Sequence, residues 1–443
     1  MTESGTTGPA GADLHRFIAE LHPICRSITG DGVRETLGYI AEHIPIEVHE
    51  VPSGTNVLDW TVPPEWNIRG AWVRDTNGQT IVDFDDSNLH VVSYSAPIRA
   101  RVSREELAEH VHTLPNWPDR TPYRTSYYHE TWGFCMPHRT FEGLLEEEYD
   151  VFIDSSLEPG SLTYGECCLP GDTEDEVLVS CHVCHPSLCN DNLSGIAVAT
   201  FLASELARRP RRYTYRFLFV PGTIGSITWL ARNAENVHRI RHGFVLAGVG
   251  DAGDLNYKRS RRGDAVVDRA VEHVLKHRGA DYGIEDFSPY GYDERQFCSP
   301  GYDLPVGCLM RTPWGTYPEY HTSADDLDFV RPDRLADSLE ACLSVVEVLE
   351  GNRRFQNSSP HGEPQLGRRG LYDSIGGRVS SKNGLLAVLW VLNQSDGEHD
   401  LLAIADRAEL EFGVIRRAAD LLMEHGLLKE MPAGPAQAQE TVE

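Results

Sequence analysis

The chain has 443 residues, 40% of them hydrophobic and 24% charged, which places it in the ordinary globular class and excludes wholesale disorder. With 67 acidic against 40 basic residues it carries a net charge of −27, so phosphate backbones and anionic lipid are repelled rather than attracted. No stretch reaches the ~20 apolar residues that cross a bilayer. The N-terminus MTESGTTGPAGAD lacks the basic and apolar segments of an export signal, so the ten cysteines read as reduced thiols or metal ligands of a cytoplasmic protein.

The first twelve residues and the tail 431–443 are Gly, Pro, Ala and polar, and are expected to be disordered. LHRFIAELHPI places Leu14, Phe17, Ile18 and Leu21 on one face and predicts a helix starting near Asp13. From about 51 to 100, the runs AWVRD, TIVDF and LHVVSYS, separated by Asn77-Gly78 and Asp85-Asp86, predict a small β module. From about Glu142 the pattern turns to α/β, with strands expected at 151–153, 177–180, 213–220 and 244–249. The stretch 191–209 predicts a helix that buries Ile196, Ala199, Phe201, Leu202 and Leu206 and stops at Pro210. Strands alternating with helices imply a largely parallel sheet covered on both faces. A Pro/Gly/Arg-rich linker, 357–370, leads to three amphipathic helices whose spacing resembles a winged helix, with 412–425 in the recognition position. Residues 396–430 hold more acidic than basic side chains. This domain is therefore expected to pack or dimerise, giving a possible homo-oligomer, rather than to bind nucleic acid.

The window VLVSCHVCHPSLCNDNLSG carries the chemistry. An apolar strand ends at His182 and a loop runs to Asp191 and Asn192, and ligands gather at such strand ends. His182, His185, Cys181, Cys184, Cys189 and Asp191 crowd the kinds of donor that a zinc site needs. Taken singly, the histidines could cap a turn and Asp191 the helix. Cys184 and His185 are chain neighbours, which argues against a thiol nucleophile, because such pairs come together from distant segments. Gly248-Val-Gly250-Asp-Ala-Gly253 fits a dinucleotide fingerprint only formally, since no amphipathic helix follows it. The basic run Lys258 to Arg262 reads as a solvated loop, with a loop that holds a substrate carboxylate near a metal cleft as the alternative, and the aromatic stretch 123–134 reads equally as plain core or as a pocket wall.

HxxHP followed by NDNLSG, with FLFVPGTIGSI and the late YPEYHTSADDLDF, resembles a group of bacterial aminopeptidase-like proteins in the co-catalytic zinc aminopeptidase superfamily. GTNVLDWTVPPEWNI, SNLHVVSYSAP and PYRTSYYHETWGFC extend the likeness over nearly the whole chain. The resemblance implies an α/β, zinc-aminopeptidase-like sandwich with a mixed, largely parallel sheet over 1–50 and 125–352. It also implies a small inserted β domain at 51–124 and a C-terminal winged helix at 353–430. Zinc would be held by His182, by Asp191 bridging two ions, and by His321, with Asp251 of GVGD as the expected carboxylate between them. His185 would be a secondary ligand or an orienting partner of His182. The implied reaction is hydrolysis of an amide bond beside a free α-amino group, in a small peptide or an aminoacylated metabolite.

One departure matters. The superfamily has a Glu-Glu pair after the strand represented here by RFLFV, the first a general base and the second a ligand. This chain reads Pro221-Gly222-Thr223, and glycine has no side chain to accept a proton. Either Glu319 or Asp293 serves as the base, or the metal alone suffices, or hydrolysis has been lost and a scaffold or altered chemistry remains.

Overall fold

The computed structural model describes residues 11–371 and 382–432. Most of the expected frayed start and of the disordered tail lies outside the described residues. Among the described residues no helix is long and apolar enough to cross a membrane. The chain divides into two compact units, one of residues up to 267 with 281–342, the other of 268–280 with the segment from 343 onward.

In the first unit, helix α1 (Gly11–Leu21) buries Leu14, Phe17, Ile18 and Leu21, the face its periodicity predicts. Its Phe17 meets Phe201 edge-on at 5.8 Å. The main sheet has eight strands: β1 (Glu47–Pro52), β2 (Ser161–Leu169), β3 (Glu176–His182), β4 (Thr214–Val220), β5 (Ile240–Leu246), β6 (Leu255–Lys258), β7 (Tyr282–Glu285) and β8 (Val306–Met310). They lie in the order β1-β2-β4-β3-β5-β8-β6-β7. The central four, β4, β3, β5 and β8, run parallel, while β2 and β6 are antiparallel to their inner neighbours. Every residue of β3 is buried, as a strand covered on both faces requires. Beside it the helix Gly195–Ala207 buries residues around its whole circumference, which marks an interior helix.

The inserted sheet differs from the expected boundaries. Its strands are Thr80–Asp83, Glu65–Arg74, Glu148–Glu158 and Ile98–Ser103, in that spatial order and all antiparallel. Residues 151–153, expected in the α/β sheet, sit in Glu148–Glu158 beside Glu65–Arg74, so the insertion runs well past 124. The alternation of Tyr149, Val151 and Ile153 explains the placement. These three bury against Ala71, Val73, Val102 and Phe134 while their neighbours are half-exposed, the pattern of a one-sided antiparallel sheet.

The second unit has helices Lys382–Gln394, Leu401–Ala408 and Phe412–Glu424 and a sheet with Arg354–Asn357 between Asp396–Asp400 and Leu428–Glu430. Its first strand thus precedes the linker. The segment 268–280 joins this unit through the buried His273. The Nδ1 of that ring lies 2.6 Å from Asp406 Oδ1, and its Nε2 accepts the Phe412 N–H at 3.0 Å.

Candidate metal centre

The four parallel strands end on one edge of the sheet, and each feeds a loop there. β3 ends at His182, β4 leads into Pro221-Gly222-Thr223, β5 into 247–253, and β8 into the segment that carries His321. The expected helix at Asp191 is not regular. Asp191 has φ −110° and ψ 80° within the distorted turn Cys189–Ser194, and the α-helix begins only at Gly195. The polar residues of NDNLS explain this. Asn190 Oδ1 accepts the Gly250 N–H (2.8 Å), Ser194 Oγ the Val249 N–H (2.9 Å) and Asn192 Oδ1 the Gly248 N–H (3.2 Å). Those amides are the ones a dinucleotide phosphate would need, so the Gly-x-Gly element is a structural seam. Asp325 fixes the turn from the other side, accepting the N–H groups of Asn190 (2.6 Å) and Asp191 (2.9 Å). Burial pushes the Asp325 carboxyl up to about 8.

Three imidazoles converge on the buried carboxylate of Asp191. His182 Nε2 lies 2.8 Å from Oδ1, His185 Nδ1 3.7 Å from the same oxygen, and His321 Nε2 3.0 Å from Oδ2. Burial disfavours ionisation of Asp191, yet His185, His182 and His321 outweigh it and hold the carboxyl well below the usual range. Burial also lowers His185 well below the ordinary imidazole value, and its Nδ1 is buried with no hydrogen-bond partner. Aromatic rings set the imidazole planes. Tyr292 stacks on His182 (5.1 Å), Tyr320 on His321 (4.0 Å), and Tyr123 meets His185 and His321 edge-on at 5.0 and 5.2 Å. Tyr123 belongs to the aromatic stretch 123–134, and its N–H donates to the His321 carbonyl at 2.8 Å.

Other candidates fall elsewhere. Asp251 does not join the cluster: Oδ1 accepts from Gly253 N–H (2.7 Å) and Thr312 Oγ1 (2.6 Å), and Oδ2 from Asn190 Nδ2 (3.0 Å) and Thr312 N–H (3.3 Å). With four donors satisfied, it braces the loop. Glu319 is engaged by the Arg120 guanidinium at 3.2 Å. Asp293 Oδ1 accepts from Thr223 N–H (2.8 Å) and Ser226 Oγ (3.0 Å), while its Oδ2 is buried and unpartnered. Burial raises this carboxyl above its ordinary value. Gly222 borders the cluster, since a Cβ there would be 3.6 Å from His182 Cβ and 3.2 Å from Cys184 Sγ. Burial pushes the Cys184 thiol up to about 12, which leaves it a poor nucleophile. The run from Lys258 is not a free basic loop: Lys258 is buried against Glu294, and Arg261 and Arg262 pair with Asp303.

Asp325, Arg26 and Tyr292 were not legible as site residues. Asp325 lies inside the YHTSADD motif, whose carboxylates are the signal for it. Arg26 and Tyr292 come from segments with no motif.

The donor set fits a metal ion. Two neutral-capable imidazoles and a carboxylate, His182, His185 and Asp191, present ligand atoms within 4.8 Å of one another, and one of those atoms is a buried nitrogen that nothing else satisfies. Comparisons agree with the architecture. A family described as a domain of unknown function (DUF4910) matches residues 15–352, and a winged helix-turn-helix family matches 353–430. A Clostridium acetobutylicum protein, provisionally named for polysaccharide biosynthesis with an aminopeptidase-like domain, is 52% identical over 419 residues, covering 95% of this chain and 96% of that protein. A crystal structure from the same organism, provisionally called a peptidase, superposes with a TM-score of 0.90 at 50% identity, covering 95% of this chain and 96% of its own. A zinc aminopeptidase from Bacillus subtilis shares the fold at 14% identity and a TM-score of 0.56, over 77% of this chain and 95% of its own.

Proposed function

Because the chain belongs to the DUF4910 family, an aminopeptidase-like fold joined to a winged helix, we propose that it is a zinc-dependent hydrolase. Its reaction would cleave an amide bond beside a free α-amino group. The observation that carries this reading is the convergence of His182, His185 and His321 on Asp191 at the carboxyl end of a parallel sheet. His182, His185 and Asp191 would hold zinc, with His321 on the far oxygen of the carboxylate, and the ion would supply Lewis-acid polarisation of a carbonyl and a more acidic water. Asp191 stays ionised at neutral pH. Asp293 replaces the missing glutamate as the proton acceptor, for one of its oxygens is anchored by Thr223 and Ser226 while Oδ2 is uncommitted. Its raised pKa suits it to take a proton and return it to the leaving amine.

The substrate class is a small peptide or an aminoacylated metabolite, and the relative's name directs attention to an aminoacylated sugar precursor. The test is turnover of an aminoacyl-anilide panel and an aminoacylated amino sugar, with and without added zinc. Zinc-dependent cleavage, lost on chelation and in Asp191→Asn, is expected. Gly222 favours a second reading, a metabolite-binding scaffold without hydrolysis, which takes over if no member of the panel is cleaved.

A further inference from the structure

We propose that the cleft holds a single metal ion, bound by His182 Nε2, His185 Nδ1 and Asp191 Oδ1, with His321 on the other carboxylate oxygen and no second ion beside it. The inference deepens the metal-site reading above and rests on it. The two oxygens of Asp191 are unequal. Oδ1 faces two imidazoles, at 2.8 and 3.7 Å, whereas His321 is the metal-ligating side chain found at Oδ2, at 3.0 Å.

Most side chains that could complete a second pole are committed elsewhere. Asp325 has both oxygens on backbone N–H groups, Asp251 has four donors, Glu319 is paired with Arg120, and Cys184 accepts the Gly222 N–H. Asp293 keeps one free oxygen, but its other oxygen is held by Thr223 and Ser226, and it is assigned above to the proton path. Among the described residues, His182, His185 and Asp191 are the one group of three metal-ligating side chains that converges.

The His185 side is built, not incidental. Arg26 is fully buried and donates through Nε to the His185 carbonyl (3.0 Å) and through Nη1 to the Leu21 carbonyl (2.7 Å), which pins the loop between them. An always-charged guanidinium kept in the interior to hold a backbone carbonyl is a costly arrangement. It makes sense if the position of the next ring matters. Two imidazoles and one carboxylate suit zinc or cobalt(II), and three protein ligands leave room for water or substrate, the pattern of a catalytic site rather than a closed structural one.

The experiment loads the full-length chain with Zn(II) or Co(II), removes excess, and measures bound metal and affinity with no substrate present. One ion per chain is expected. His185→Gln should weaken binding at least about 100-fold and His321→Gln less than about tenfold. Arg26→Met should weaken it about tenfold alone and add nothing in the His185→Gln background, because it acts through that ring. Two retained ions, no ion, or an affinity that His185→Gln leaves unchanged overturns the proposal. If His185→Gln does not fold, X-ray absorption on the zinc-loaded parent decides. Two imidazoles and a carboxylate support the assignment, while a metal–metal vector of ~3.5 Å refutes it. A chain that binds one ion and cleaves nothing sinks the hydrolase reading alone, and two ions with turnover sinks this one alone.

Discussion

Replacing Asp293 by asparagine separates its two oxygens chemically. Asn keeps an acceptor at the position where Oδ1 takes the Thr223 N–H at 2.8 Å and the Ser226 hydroxyl at 3.0 Å, so the start of the helix Ile224–Arg232 stays anchored. Each neutral hydrogen bond of this kind is worth about 1 kcal/mol, and neither need be lost. What disappears is the proton-accepting capacity at Oδ2. General-base transfer contributes ~10² to 10⁴-fold, so kcat on any substrate that the parent turns over should fall by that factor, with metal content unchanged. Stability moves the other way. Burial raises the folded-state pKa of Asp293, so its contribution is present below the unfolded carboxyl value and lost as pH rises through the raised one. Asparagine does not titrate, and the variant should gain stability relative to the parent as pH increases. Thermal melts at acid and neutral pH, with steady-state kinetics on the best anilide, test both halves. A variant that keeps parental kcat removes Asp293 from the proton path.

Gly222→Glu should crowd the cleft and lower activity, since its Cβ would press Cys184 Sγ at 3.2 Å and the rest of the side chain must pass the His182 ring, whose Cβ is in ordinary contact at 3.6 Å. A gain of 10² or more would instead show that the absent glutamate alone limits the rate. Gly222 is not among the residues with left-handed φ, so a Gly222→Ala control should cost only about 1 kcal/mol from the close contact, a drop of roughly 2–4 °C in Tm. Arg34 holds Glu65 at 2.7 Å and brings its carboxyl down to about 2. That stabilisation is present above the unfolded value near 4.5 and is lost as pH falls towards 2, so the deficit of Glu65→Gln relative to the parent, read by denaturant melts, should shrink over that window. Glu319→Gln should leave metal affinity and kcat within a few-fold of the parent, because its partner is Arg120; loss of turnover would restore it as a base. The full chain should give no salt-sensitive shift of duplex DNA in a gel assay, given its net charge of −27.

Local pattern carried the helix Gly11–Leu21 and the three helices of the winged-helix unit, because each buries one readable face, and it carried β3 because a continuous apolar run marks a strand covered on both sides. The motif resemblance, rather than local pattern, named His182, Asp191 and His321, and the fold brings both rings to within 3.0 Å of the Asp191 carboxylate. Pattern could not assign 151–153 to a sheet: a short apolar run looks alike in a one-sided and a two-sided strand, and only its partners, Glu65–Arg74 and Ile98–Ser103, distinguish the two. Nor could spacing rank the carboxylates. Asp251, Asp293, Glu319 and Asp325 are equivalent as letters, yet hydrogen bonds from distant segments make the first a brace, the third half of an ion pair and the fourth an anchor for the Asp191 turn. The weight the proposal gives to His185 has a related origin. Whether its ring nitrogen is left without a partner depends on every neighbour the fold brings to it, and the chain lists its neighbours only in one dimension.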